Sequence, residues 1–180
     1  MKRNILVFGL IAGIIVSAIM AVTIGSSSEH RDYNESMMIG YLSMIVAFSF
    51  VFVGIKNYRD KYNGGLISFG AAFKLGFFIS LIASTLYVIT WMIMYHFFIP
   101  DFMDKYADHM IKEAQQAGAS AAEIQAKTEE MAGYKEMYKN PLMIVLFTYV
   151  EILPVGLIIT LISSLILKRN YAKSNTEAMG

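Results

Sequence analysis

Residues 5–24, 37–55, 75–99 and 141–167 form four long apolar runs, and they constrain what this chain can fold into more than any other feature. A hydrocarbon core of about 30 Å is crossed by roughly 20 helical residues, and every run is long enough. Composition agrees, since 56% of the 180 residues are hydrophobic and 16% are charged, outside the range of a soluble domain. The first run follows Lys2 and Arg3 as a signal peptide would. A cleavable apolar core spans only about 7 to 15 residues and ends at an A-x-A site, so this longer run without one reads as an uncleaved span. The expected fold class is an all-α membrane protein, one membrane domain over 1–180 with four transmembrane helices and an extracytoplasmic helical hairpin between the third and fourth.

Charge between the spans sets the expected orientation. Lys2, Arg3, Lys56, Arg59, Lys61, Lys74, Lys168, Arg169 and Lys173 gather on one side against Asp60 and Glu177. The other side holds six bases, Arg31 and five lysines, against eleven acids. Basic loops stay inside, which places both termini and the 168–180 tail on the cytoplasmic side of the membrane. Tyr33, Tyr41, Tyr95 and Tyr138 mark the outer boundary, and Tyr58, Tyr62 and Tyr171 the inner one, as amphipathic rings favour the interface. A net charge of +1 without a basic patch leaves no nucleic-acid partner. Zero cysteines exclude a disulfide framework, a thiolate nucleophile and a cysteine-ligated zinc. Gly64-Gly65 lacks the lysine and spacing of a phosphate loop. After it, Leu66–Phe73 is too short to cross and either lies on the interface or extends the third helix inward.

Residues 101–138 read as two amphipathic helices broken at "AGAS", where Gly118 ends the first and Ser120 with Glu123 forms an S-x-x-E capping box for the second. Met103, Tyr106, Met110 and Ile111 on one, and Ile124, Met131, Tyr134 and Tyr138 on the other, make facing stripes. Asp101, Asp104 and Asp108 beside His109 have the oxygen ligands of a divalent-metal site. The i,i+4 pairs Asp101–Lys105 and Asp108–Lys112 make a solvated, charge-paired face the preferred reading. His30, His96 and His109 show no ligand spacing, and neither a metal nor a cofactor is expected.

Lipid offers no hydrophobic drive between helices, so small residues every fourth position mark close approach. Gly9, Gly13 and Ser17 form such a stripe on the first span. On the third, Gly76, Ser80 and Ser84 continue into Tyr87 and Trp91, and the fourth carries Gly156, Thr160 and Ser164. Each stripe serves either bundle packing or a homodimer seam. Glu151 is the only acidic residue inside any apolar run. Rising about 1.5 Å per residue from Pro141, it lies roughly 15 Å deep, near the midplane. An unpaired charge there is costly, so the neutral acid or a hydrogen-bonded carboxylate is expected. Equal depth on the antiparallel third span falls at Tyr87 and Thr90, and Thr148 stands one turn away on its own helix. Pro154 removes one amide and frees the carbonyl of Val150, which favours a kink beside the acid.

The segments "FVFVGIKNYRDKYNGGLISFGAAFKLGF", "FMDKYADHMIKEA" and "YKNPLMIVLFTYVEILPVGLIITLISSLILKRN" together resemble a bacterial family of four-span inner-membrane proteins, domain of unknown function 4199. The resemblance covers nearly the whole chain. It implies a fold and no activity, with Asn140, Pro141, Glu151, Pro154 and Gly156 in its recurring pattern. The function expected first is a non-enzymatic assembly, interaction or regulatory component in the lipid bilayer, partnered by a second copy or another membrane protein. The alternative is a small proton-linked or solute transporter using Glu151. An enzyme stands third, because no catalytic constellation is recognisable.

Overall fold

The structure, a computed structural model, describes residues 1–25 and 33–169. His30, Arg31, Tyr171, Lys173, Glu177 and the tail beyond Arg169 lie outside the described residues, as does most of the loop assigned to 25–36. Among the described residues the chain forms six helices: α1 (Lys2–Gly25), α2 (Tyr33–Tyr62), α3 (Phe69–Phe97), α4 (Phe102–Gln116), α5 (Ala121–Tyr138) and α6 (Pro141–Leu167). Four of them, α1, α2, α3 and α6, are long and apolar enough to cross a bilayer, as in a multi-pass membrane protein. A helix suits that setting because it satisfies its backbone amides internally.

Two spans extend well past their apolar runs at the basic end. α2 continues from Ile55 through "KNYRDKY" to Tyr62, and α3 begins six residues before Leu75. The third helix is therefore extended, because the Ser68 hydroxyl accepts from the Ala71 amide at 3.3 Å and caps it at Phe69. Ile67, just before the cap, is buried and exchanges two backbone hydrogen bonds with Arg169, at 3.0 and 2.9 Å. Arg59 adds a bond to the Leu167 carbonyl at 3.3 Å. Asn4, buried on α1, donates to the Gly54 carbonyl on α2 at 2.6 Å. The start of α1, the end of α2, the start of α3 and the end of α6 are thus tied together at one end of the bundle, here called the basic end.

α1 packs on α2 and α3, and α6 packs on the same two, while α2 and α3 also touch across the middle. Around a core that includes Phe48, Leu75 and Ile79, the outside of the bundle is apolar too. Ile14, Met38, Ile89 and Val150 are 61, 62, 50 and 70% exposed, whereas Ser80, Ser84, Thr160 and Ser164 are fully buried. That is the arrangement lipid selects: apolar side chains outward, small polar ones at the seams.

Those seams run along both sides of α3. A Cβ added at Gly9 falls 2.8 Å from the Ile82 Cβ, and one at Gly13 falls 3.2 Å from the Ala83 Cα. A Cβ at Gly76 meets Thr160 at 2.8 Å, and one at Gly156 meets the Phe48 ring at 2.9 Å and the Ser80 Cβ at 3.0 Å. The Ser80 hydroxyl lies 3.0 Å from that of Thr160 and donates to the Gly156 carbonyl at 3.3 Å. Further along, the hydroxyls of Thr85 and Tyr149 are 2.9 Å apart. The small stripes are therefore used within the bundle. Ser17 and Ser84 belong to the same rows, and their hydroxyls are buried without a hydrogen-bond partner.

Side chains along α3 grow larger away from the basic end, where Gly76, Ser80 and Ser84 give way on nearly the same face to Tyr87 and Trp91; on α6, Glu151 and Phe147 stand on the face opposite Gly156 and Thr160. Helices that meet through glycine and serine at one end carry aromatic rings at the other. α4 and α5 occupy that wider end as an antiparallel pair. Gly118 turns the chain at a φ of +77°, a left-handed conformation open to glycine, and both bonds of the Ser120/Glu123 capping box are present.

Gly9→Ala and Gly76→Ala are each expected to destabilise the bundle by about 1–3 kcal/mol through overpacking. Gly133→Ala, on an open face of α5 where an added Cβ meets nothing within 4 Å, is expected to stabilise by about 0.5–1 kcal/mol. Thermal unfolding of the three variants in one detergent checks the contrast.

Candidate functional site

The wider end encloses an open cavity of about 470 Å³, to which all six helices contribute. Its size and its mostly apolar wall are those of small-molecule sites. Glu151 and Tyr87 line it from α6 and α3, close enough to act on each other electrostatically. Glu151 is surrounded by protein yet keeps an exposed side chain, since it opens onto this space. The other expected donors turn away. The Thr148 hydroxyl donates to the Ile144 carbonyl at 2.7 Å and that of Thr90 to the Leu86 carbonyl at 2.9 Å, the back-bonding open to any helical threonine. α6 runs without interruption through Pro154, one turn beyond the acid and outside the cavity wall.

Aromatic contacts assemble the wall. Trp91 meets Phe102 edge-on at 5.0 Å, and Phe102 stacks on Tyr106 at 5.9 Å. Tyr138 stacks on Phe147 at 5.9 Å and meets Tyr95 edge-on at 5.6 Å. Tyr41 and Tyr138, expected in an interfacial belt, line the cavity instead. Burial, with the Glu151 charge second, pushes the Tyr138 hydroxyl up to about 12, so it stays a neutral donor at physiological pH.

The hairpin roofs this space from above. Met103, Ala107 and Met131 are buried between α4 and α5, and an ion pair joins Asp104 to Lys135 across them. Lys127 and Glu130 pair at 2.8 Å on the cavity wall. Hydrogen bonds donated to these carboxylates hold Lys135 and Lys127 above the usual lysine range. A raised lysine value means the contribution of each pair is intact at neutral pH and is lost only as pH climbs past that range. On α4, Asp101 pairs with Lys105 at 2.7 Å as expected, whereas Asp108 and Lys112 form no ion pair with each other. Among the described residues no three His, Asp or Glu side chains are grouped to hold a metal ion.

Sequence reasoning reached Glu151 and Tyr87 by counting depth, and it missed the methionine and aromatic wall. One signal was available: Tyr87 and Trp91 share a face with Gly76, Ser80 and Ser84, so they point into protein rather than lipid.

A family model described as "Protein of unknown function (DUF4199)" matches residues 7–169. No curated protein and no solved structure matches the chain.

The absence of native cysteines allows the cavity to be probed one thiol at a time. Glu151→Cys is expected to react with a small charged thiosulfonate in detergent, while Thr160→Cys, fully buried at the α3–α6 seam, stays unlabelled. Equal protection of both positions would remove the cavity.

Proposed function

The chain belongs to the DUF4199 family of proteins of unknown function, and from that premise we propose that it is a bacterial inner-membrane protein that binds a small molecule beneath an extracytoplasmic hairpin. Its role on this reading is regulation or assembly rather than catalysis. The observation that carries it is the cavity of about 470 Å³ whose deep end holds the one acidic residue of the four apolar runs. Polar and ionisable groups at membrane depth are expensive, and a site is the common reason to keep one.

Orientation follows from the lysine and arginine excess at the basic end, which puts both termini in the cytoplasm and α4–α5 outside. The cavity then faces the extracytoplasmic side. Catalysis has little support here: among the described residues Ser43 is the only serine on the wall and donates its hydroxyl to the Gly40 carbonyl at 2.6 Å, and no described histidine lines the space. Transport is the second reading, favoured by a reachable acid at midplane depth. The seams at Gly76, Gly156 and Gly9 stand against it, since a solute leaving toward the basic end would have to part contacts that do not admit one methyl group. A ligand site open on one side suits a receptor or regulator, whose hairpin would present the bound state to a second copy or another membrane protein.

Two measurements test this. Gln116→Cys is expected to react with an impermeant maleimide in intact cells, and Lys61→Cys only after lysis; the opposite pattern would invert the topology. Glu151→Gln is expected to accumulate at the wild-type level while reproducing the phenotype of gene deletion, and full complementation would return the acid to a structural role.

A further inference from the structure

Charge and wall chemistry narrow what the cavity accepts. Among the described residues two charged groups besides Glu151 line it, Lys127 and Glu130, and they neutralise each other at 2.8 Å. When ionised, Glu151 therefore sets the sign of the deep end as negative. Around it stand Tyr87, Trp91, Tyr41 and Phe147, contributed by α3, α2 and α6. Ring faces carry negative potential and attract cations, most strongly where water is excluded. Met20, Met103 and Met131 add polarisable, adaptable surface. Ser43 is committed to the Gly40 carbonyl at 2.6 Å, so the polar groups offered by the described wall are mainly ring-borne, the tyrosine hydroxyls and the Trp91 indole.

Taking the cavity as a ligand site, as proposed above, we infer that it binds an organic ammonium cation, with the positive nitrogen against Glu151 inside the Tyr87, Trp91 and Tyr41 rings and the apolar part along the methionine wall. The cation has two possible sources, a soluble amine and the ammonium headgroup of a membrane lipid, and their chemistry at the carboxylate is the same.

A proton and an ammonium ion compete for one carboxylate. Binding to the protonated site releases one proton to solvent, which balances charge and atoms, and affinity weakens as pH falls. The groups facing the acid do not oppose this sign. They are Tyr87 on α3, Tyr41 on α2, Tyr106 on α4, and Tyr134, Tyr138 and the paired Lys127 and Glu130 on α5, while α1 presents Ile19, Met20, Thr23 and Ile24.

Trp91 is the single tryptophan of the chain and lines the cavity, so its emission reports occupancy. The full-length protein in phosphatidylglycerol nanodiscs is titrated with benzyltrimethylammonium and, separately, with neopentylbenzene, its uncharged carbon isostere. A saturable change with the ammonium, at least tenfold tighter than with the isostere and weakened at least tenfold by Glu151→Gln, is expected. Equal affinity for both probes in the wild type overturns the charge assignment and leaves the cavity as a binding site. No saturable response to either probe overturns the binding site as well. The wild-type comparison decides the matter even if the variant fails to fold. Repeating the titration with phosphatidylethanolamine added separates the sources: competition identifies a lipid headgroup, and unchanged affinity identifies a soluble amine, both supporting ammonium recognition.

Discussion

Everything in this protein hangs on the close approach of α3 to its two neighbours at Gly9, Gly13, Gly76 and Gly156. Lipid tails are as apolar as the side chains they touch, so burying leucine between helices gains little in a membrane. Backbone proximity, and the dispersion contacts and hydrogen bonds it permits, must do the work. Ser80, Thr160 and the Gly156 carbonyl meet within 3.3 Å because no larger side chain stands between α3 and α6. The basic end adds the Ile67–Arg169 bridge and the Asn4–Gly54 bond. The result is a bundle rigid at one end.

From that rigidity the site follows. At the other end α3 carries Tyr87 and Trp91 and α6 carries Phe147 and Glu151, and a space opens between the helices there. A carboxylate in hydrocarbon would have to neutralise or find a partner. One on a cavity wall has a third option, to be reached by water or by a ligand. The α4–α5 hairpin closes over this space with its own apolar stripe, and aromatic contacts join it to α3 and α6. Roof and floor are thus coupled through packing, the physical basis for a bound molecule to change what the hairpin presents.

Most of the fold was legible in the sequence. The four spans, the Gly118 break and the Ser120/Glu123 box each have a local cause, and local causes are what one sequence carries. The ends of the spans were less so, because charged residues such as Lys56 and Arg59 continue α2 where hydropathy stops. Tyr87 was found because antiparallel neighbours share depth, and Thr90 was misjudged as a donor because a threonine can bond its own helix four residues back. Whether the small rows met each other or a second copy stayed open until the order of helices around the bundle was known. The cavity was not legible at all, since it belongs to no helix and arises only from how six of them surround one space.

The central claim is that Glu151 stands on a reachable cavity rather than serving as a sealed hydrogen bond between α3 and α6. Infrared difference spectroscopy of the protein in nanodiscs, with Glu151→Gln as the blank, isolates its carboxyl band. The account predicts a carboxyl signal that responds to bulk pH and shifts at once on transfer to D₂O. A band that ignores bulk pH and exchanges only over hours, as a group locked in the bundle would, contradicts it.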